Sequence, residues 1–388
     1  MDTLVLVPVA ALVLVSSVRF SGHRIPAWPC VLAAGGVLAL FLCLRAMVPD
    51  EQVFIGSDAA RRVRAQVRDL QKKPNWWEKD VLIVEGSSIA TYGIDNREVE
   101  AALAARGWDP VVLEFALPAA NHFERTFLIE AFFRSLPRAD RDKIRAARVV
   151  LLKEVFDLYD RNPLCLFDKE EYQERAKVYM NPSNALQSWK AYAASLPQSM
   201  PFGERASDLF LSGVLIGERL LMNRFGAGAL SDMKPVSWKK RTQAFHALSG
   251  TTPGFSYDAA VNSINDTSDL ESTLPWSGFP PGWLACFRHE KQTLGDDVDA
   301  VAFFAMPALE PKRLSYQMGF SKGLPDGTTM IGPPTSSQLQ PFLKKGYWFD
   351  RAHPTGPGAT EFSRWLAGEL LLRRSRLQVG GWGEFQGL

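Results

Sequence analysis

The stretch that decides the fold is Val81-Leu82-Ile83-Val84-Glu85-Gly86-Ser87-Ser88, four apolar residues followed by a turn and the start of a helical pattern. Similar short apolar runs recur along the chain, with helix-compatible segments between them. The runs are Val81–Val84, Val111–Phe115, Arg148–Leu152, Val301–Met306 and Thr329–Ile331, and the clearest helical segments are Asn96–Arg106 and Phe123–Ser135. This alternation predicts an α/β protein, a flavodoxin-like three-layer sandwich with a parallel sheet covered on both faces.

The reactive groups of such a sheet gather at the carboxyl ends of its strands, where Ser88 is expected. A serine nucleophile needs a base within hydrogen-bond reach, and the base needs an acceptor for its other nitrogen. A second stretch, Asp350-Arg351-Ala352-His353-Pro354, precedes a Gly-rich turn and an amphipathic helix and supplies both groups. An isolated Asp-x-x-His is more simply a helix cap beside a surface imidazole. Together with a serine that follows a strand, it predicts a triad of Ser88, His353 and Asp350.

These two blocks resemble those of the SGNH (GDSL-like) hydrolases and acyltransferases. Gly86-Ser87-Ser88 matches the Gly-x-Ser nucleophile block, and Asp350-Arg351-Ala352-His353 matches the closing Asp-x-x-His block. The resemblance covers roughly 80–160 and 295–372. It is greatest to the membrane-anchored branch that works beside a membrane-bound O-acyltransferase in O-acylation of polysaccharides or teichoic acid.

The resemblance implies an extracytoplasmic serine O-acyltransferase that transfers a small acyl group such as acetyl to an exopolysaccharide or cell-envelope glycan. The implied partner is a membrane-bound O-acyltransferase, and no cofactor is implied. Two alternatives remain open. The domain could be a catalytically idle SGNH-fold docking partner of such a complex, or it could be a carbohydrate esterase.

The resemblance also implies individual roles around the nucleophile. Ser88 is the better nucleophile because it holds the third position of its block, and Ser87 then supports the turn. The Ser88 N–H at the start of the helix is one expected oxyanion donor. The second is expected to be the backbone N–H of Ala119, where the family has glycine. The family's Gly-x-Asn block after the third strand is absent, so Asn121 or Asn162 substitutes for it or the role is unfilled.

The N-terminus contains two apolar stretches, Thr3–Val18 and Ala27–Val48, and the second is long enough for a bilayer at about 20 residues per crossing. The short turn between them contains Arg19 and Arg24. By the positive-inside tendency this turn is cytoplasmic, which predicts a transmembrane hairpin over 1–49. The rest of the chain would then face the periplasm from the inner membrane. A cleaved signal peptide is the rival interpretation, but no positive segment precedes the first stretch.

The remaining chain divides by composition into four predicted parts. Residues 50–80 are charged and helix-compatible and are predicted to be a juxtamembrane connector. The SGNH-like domain is predicted in two pieces, 81–163 and 298–388. The intervening 164–297 is predicted to be a helical and loop insertion, turn-rich after Gly250, that shapes a substrate groove, docks a partner or serves only as a lid.

The overall composition excludes some classes of function. The chain has 388 residues and a formal net charge of +2, which argues against a nucleic-acid partner. His and Cys show no metal-ligand spacing, so no metal site is predicted. Cys165 and Cys286 could pair in an oxidising compartment, or both could remain buried thiols.

Overall fold

The computed structural model describes most of the chain from Asp58 to Leu377. The described residues are 58–118, 120–155, 179, 182–197, 199–206, 208–209, 212, 251–265, 279, 281–325, 327–332 and 339–377. Within them, five strands form one sheet. They are β1 Val81–Glu85, β2 Val111–Glu114, β3 Val149–Glu154, β4 Ala300–Phe304 and β5 Thr329–Ile331.

Helices connect and cover these strands. They are α1 Asp58–Gln71, α2 Ser88–Gly93, α3 Asn96–Ala104, α4 His122–Ser135, α5 Arg138–Ala146, α6 Pro182–Ser195, α7 Tyr257–Asn265, α8 Pro281–Leu294, α9 Pro311–Gly323, α10 Gly356–Leu372 and α11 Arg374–Leu377. Short 3-10 turns lie at Trp76–Glu78, Gln340–Phe342 and Lys345–Tyr347.

The sheet has the order β2-β1-β3-β4-β5, and all its neighbouring strands are parallel. The predicted α/β class with a parallel sheet is therefore confirmed. The chain runs from β1 outward to β2 and then returns past β1 to β3. This reversal makes the carboxyl ends of β1 and β3 a switch point, the place where open parallel sheets form a crevice.

Alternating side chains of each strand enter two separate cores. Val81 and Ile83 of β1 belong to one core cluster, while Leu82 and Val84 belong to the other. Because successive strand residues point to opposite faces, the two clusters lie on opposite sides of the sheet. Helices α1, α4 and α8 contribute to the first core, and α3, α7 and α10 contribute to the second.

Helix α1 lies within the predicted connector and packs on the sheet domain. Its apolar residues Val63, Val67 and Leu70 follow helical spacing and are buried in the same core as α4. The following Trp76 is also buried, whereas Trp77 is 38% exposed. The described part of the connector is thus attached to the sheet through an apolar stripe.

The described part of the predicted insertion is helical. Helix α8 lies against α4 and α6, and its Trp283 and Phe287 stack on each other within the core below the sheet. Helix α8 therefore forms part of the layer that covers the sheet. Cys286 of this helix is buried, and Cys165 lies outside the described residues.

In the described part of the chain, no helix is both long enough and apolar enough to cross a membrane. The two apolar stretches predicted to form the hairpin, Thr3–Val18 and Ala27–Val48, lie outside that part.

Candidate active site

The turn after β1 presents Ser88 as the first residue of α2. Ser87 is the N-cap of this helix, and its Oγ accepts the backbone N–H of Ile89 at 3.2 Å. The Ser87 carbonyl in turn accepts the hydroxyl of Thr91 at 2.9 Å. These two hydrogen bonds fix the turn. The Ser88 side chain takes part in neither of them and is partly exposed.

Position 86 requires glycine because neighbouring atoms lie very close to its backbone. A Cβ at this position would lie 2.4 Å from the Ala90 Cβ and 2.8 Å from Oε2 of Glu154. Neither distance is compatible with a methyl group. The packing of α2 against the end of β3 thus requires glycine at position 86.

The loop that carries the Asp-x-x-His block is a narrow reversal stabilised by its own backbone. Trp348 and Pro354 form an isolated antiparallel bridge, and the Phe349 N–H donates to the carbonyl of His353 at 2.9 Å. Buried Trp348 anchors the loop through its indole N–H, which donates to the Phe342 carbonyl at 2.7 Å. The loop is consequently a defined support for His353.

The start of α10 explains the glycine that follows this loop. Thr355 is the N-cap, and its Oγ1 accepts the N–H of Gly358 at 3.4 Å. A Cβ on Gly358 would lie only 2.3 Å from the carbonyl oxygen of Tyr347. Glycine therefore allows α10 to begin directly against the loop that carries Asp350 and His353.

Ser88, His353 and Asp350 form a connected hydrogen-bonded chain. His353 Nε2 lies 2.8 Å from Ser88 Oγ. His353 Nδ1 lies 2.8 Å from Oδ2 and 3.0 Å from Oδ1 of Asp350. The side chains of His353 and Asp350 are 23% and 30% exposed, so both are accessible from solvent. This is the geometry of a nucleophile, a base and an orienting carboxylate.

Asp350 is held in its ionised form. Burial raises the pKa of its carboxyl, but His353 and the backbone N–H groups of Ala352 and His353 outweigh burial, and the pKa lies below its ordinary value of 3.8. Both amides donate to Oδ1 at 2.8 Å. An ionised Asp350 favours the proton on Nδ1 of His353, which leaves Nε2 to accept the Ser88 proton.

Three residues were expected to complete the oxyanion site or to substitute in it: Ala119, Asn121 and Asn162. Ala119 and Asn162 lie outside the described residues. Asn121 is buried at the N-cap of α4, where its Oδ1 accepts the N–H of Glu124 at 2.9 Å. Its Nδ2 donates to the hydroxyl of Tyr179 at 2.8 Å. These contacts connect Asn121 to the first turn of α4 and to Tyr179.

Sequence reasoning missed Glu154, the last residue of β3. Its side chain is 5% exposed, and Oε2 accepts the backbone N–H of Ser87 in the turn between β1 and α2. The signal in the sequence was a carboxylate at the end of an apolar strand, but its partner lies 67 residues earlier. Glu154 therefore belongs to the site through the turn that carries Ser88.

A buried charge network lies beside the same edge of the sheet. Lys153 Nζ donates to Glu85 at 2.8 and 2.9 Å and to Glu290 Oε1 at 3.0 Å. Nη1 of Arg125 in α4 lies 3.4 Å from Oε1 of Glu85. All four side chains are almost fully buried, and such charges persist only when they are paired. The network joins β1, β3, α4 and α8.

The two carboxyl groups of the network have opposite pKa shifts. Burial raises the pKa of Glu85, but the charges of Lys153 and Arg125 outweigh burial and lower it to about 2. Burial, reinforced by the charge of Glu85, raises the pKa of Glu290 to about 8. At neutral pH, Glu85 is therefore the carboxylate, and Glu290 is the neutral acid that shares Lys153 with it.

Glu290→Gln should change how stability depends on pH. Folded Glu290 keeps its proton up to about pH 8, whereas the unfolded group loses it near the ordinary value of 4.5. The folded state binds more protons in this window, so the contribution of Glu290 to the free energy of unfolding decreases as pH rises. We therefore expect the free energy of unfolding of the wild type, relative to that of Glu290→Gln, to fall by a few kcal/mol as pH rises through this window. The expected change is on the order of 1.4 kcal/mol per pKa unit.

Denaturant unfolding of both proteins from about pH 4 to pH 9 would measure this difference, and the subtraction removes the titration of other groups. Glu78→Gln, at an exposed position, is the control and should leave the pH dependence as in the wild type. Identical pH dependence of wild type and Glu290→Gln would contradict the assignment of a neutral Glu290.

In the regions that the structure describes, no group of three or more His, Cys, Asp or Glu side chains could hold a metal ion. Compared with known proteins, the sequence matches no family model and no curated protein. The geometry of Ser88, His353 and Asp350 is therefore the basis for inferring the function.

Proposed function

We propose that this protein is a serine acyltransferase or esterase of the SGNH type, built on a flavodoxin-like three-layer sandwich with a helical insertion. The observation that carries the proposal is the connected chain from Ser88 Oγ through His353 to Asp350, with both hydrogen bonds at 2.8 Å. An isolated cap and a surface imidazole would not require a serine hydroxyl at the second ring nitrogen.

In the first half of the reaction, Ser88 Oγ attacks the carbonyl carbon of an acyl donor. His353 Nε2 takes the hydroxyl proton, and Asp350 stabilises the imidazolium without itself taking the proton. The bond from the acyl carbon to its leaving oxygen then breaks, and His353 returns the proton to that oxygen. The product is an ester of Ser88.

In the second half, an acceptor hydroxyl attacks the Ser88 ester and gives its proton to His353. The ester bond to Ser88 breaks, and the proton returns to Ser88 Oγ. A glycan hydroxyl as acceptor gives transfer, and water gives hydrolysis. We favour transfer of an acetyl or similarly small group to an exopolysaccharide or cell-envelope glycan, as the sequence resemblance implies.

The negative charge on the acyl oxygen needs hydrogen-bond donors. The Ser88 N–H is one proposed donor, because the first amides of a helix have no partner within the helix. The backbone N–H of Ala119 is the second proposed donor. An amide can donate equally from alanine and glycine where the backbone dihedrals permit either residue.

The proposed setting is the periplasmic face of the inner membrane, with the hairpin of residues 1–49 as anchor. Two apolar stretches around an Arg-containing turn support this proposal. Anchoring raises the concentration of the catalyst near a donor delivered through the membrane. The proposed partner is accordingly a membrane-bound O-acyltransferase that supplies the acyl group.

The experiment that tests the proposal is detection of the acyl-enzyme. The full-length protein, purified in detergent, is mixed with p-nitrophenyl acetate, quenched in acid and digested for mass spectrometry. We expect acetyl on the peptide that contains Ser88 and on its hydroxyl. Absence of any adduct on Ser88, with intact folding, would contradict the enzyme and favour the docking-partner alternative.

A further inference from the structure

Glu154 is placed to control the turn that presents the nucleophile. It ends β3 opposite Phe304 of β4, and its Oε2 accepts the N–H of Ser87, the residue immediately before Ser88. The same oxygen lies 2.8 Å from the position of a Cβ on Gly86. The carboxyl group therefore packs directly against two successive residues of the turn.

The surroundings of Glu154 raise the pKa of its carboxyl group. Burial raises its pKa, and Arg125 of α4, the Ser87 N–H and Arg313 of α9 only partly oppose this effect. Glu85, Lys153 and Glu290 pair with one another on the opposite face of β3, because residues 153 and 154 point to opposite sides. On the catalytic side, Ser87 and Ser88 connect Glu154 to His353 and Asp350.

We propose that Glu154 is a positioning residue for Ser88: its carboxyl oxygen fixes the Gly86–Ser88 turn by accepting the Ser87 N–H, and a negative charge on this carboxyl slows the attack of Ser88. This inference rests on the proposed function and extends it to a residue outside the triad. No bond forms or breaks at Glu154. Its effect reaches the reacting atoms only through the backbone of Ser87 and through its charge.

Two physical consequences follow from this position. Without an acceptor for its N–H, Ser87 can rotate, and the aim of Ser88 Oγ at His353 Nε2 becomes less precise. With an ionised Glu154, a negative charge lies beside the turn where negative charge develops on the acyl oxygen, which raises the barrier. The first effect is independent of pH, and the second increases as Glu154 ionises.

The test measures the rate at which a fluorophosphonate probe labels Ser88 in the full-length protein, from about pH 5 to pH 9. Wild type is compared with Glu154→Gln, which keeps an oxygen for the Ser87 N–H and cannot ionise, and with Glu154→Ala, which removes the acceptor. Glu114→Gln is the matched control, because Glu114 is another carboxyl at the end of a strand whose pKa burial raises.

We expect the ratio of the Glu154→Gln rate to the wild-type rate to rise with pH by about 10-fold as Glu154 ionises in the wild type. The ratio should be lowest at the acid end, where the protonated fraction of Glu154 is largest. Glu154→Ala should label about 10- to 100-fold more slowly at every pH. Glu114→Gln should follow the wild-type profile throughout.

A Glu154→Gln ratio that stays constant with pH would overturn the proposal, as would full labelling by Glu154→Ala. Circular dichroism shows whether Glu154→Ala is folded, and if it is not, the Glu154→Gln profile alone decides. Failure of the proposed function is distinguishable, because Ser88→Ala would then still be labelled or the wild type would not be. If Ser88→Ala loses labelling while the ratio of the Glu154→Gln rate to the wild-type rate stays constant with pH, the proposed function stands and only the role of Glu154 is rejected.

Discussion

Ser88→Ala is expected to lose covalent labelling and ester cleavage by at least about 10³-fold, because it removes the hydroxyl proposed to form the acyl-enzyme. The fold should remain. Ser88 is partly exposed, and within the described residues its side chain is hydrogen-bonded to His353, so the change in stability should stay within about 0.5 kcal/mol. Acetyl adducts by mass spectrometry and melting by circular dichroism measure the two quantities on the same preparation.

Ser87→Ala is the matched control for this prediction. It removes one hydroxyl from the adjacent residue, keeps the N–H that donates to Glu154, and loses the cap on Ile89. We expect a stability loss of about 1 kcal/mol with most labelling retained. Equal loss of labelling in both variants would indicate a general disturbance of the turn, and full activity of Ser88→Ala would eliminate Ser88 as the nucleophile.

His353→Ala is expected to be nearly as damaging as Ser88→Ala, and the two losses should not add in the double variant. The reason is that Ser88 and His353 act as a unit, so either deletion removes the same step. Labelling rates of the single and double variants measure this directly, and added imidazole should partly restore His353→Ala. A double variant much slower than either single variant would contradict a shared role.

Asp350→Asn should lower the labelling rate by about 10³- to 10⁴-fold, since an amide disfavours the tautomer that carries the proton on Nδ1. Arg351→Ala is the control on the same loop. Its side chain is exposed, and its backbone carbonyl, which accepts the Leu309 N–H at 2.7 Å, is unchanged. Loss of activity in the control would point to the loop conformation and not to the triad.

The five strands were predictable because each is a short apolar run, but the end of β3 was not. The prediction ended this strand at Leu152, whereas the structure continues it through Lys153 and Glu154. Charged residues usually mark the end of a buried strand. Here the partners Glu85 and Ser87 satisfy them from the neighbouring strand and turn, and local sequence carries no information on such distant partners.

The helices α7 and α8 in the predicted insertion were not predicted from local composition, for a different reason. Residues 250–283 were predicted to be turn-rich because of their Pro and Gly content, yet α7 forms at Tyr257–Asn265 and α8 begins at Pro281. Proline is compatible with the first turn of a helix, since its missing N–H has no helical partner there. Whether such a residue ends a loop or begins a helix depends on the apolar surface that Trp283 and Phe287 bury.

The sequence by itself determined the alternation of strands and helices and the three residues proposed for chemistry, because both depend on local patterns of apolar and reactive side chains. Only the tertiary structure decided that Ser88 and His353 meet across 265 positions, that Glu154 accepts the Ser87 N–H, and that Glu290 shares Lys153 with Glu85. The physical reason is that burial and pairing set the state of an ionisable group. The partners that supply both come from separate elements brought together by packing on the sheet.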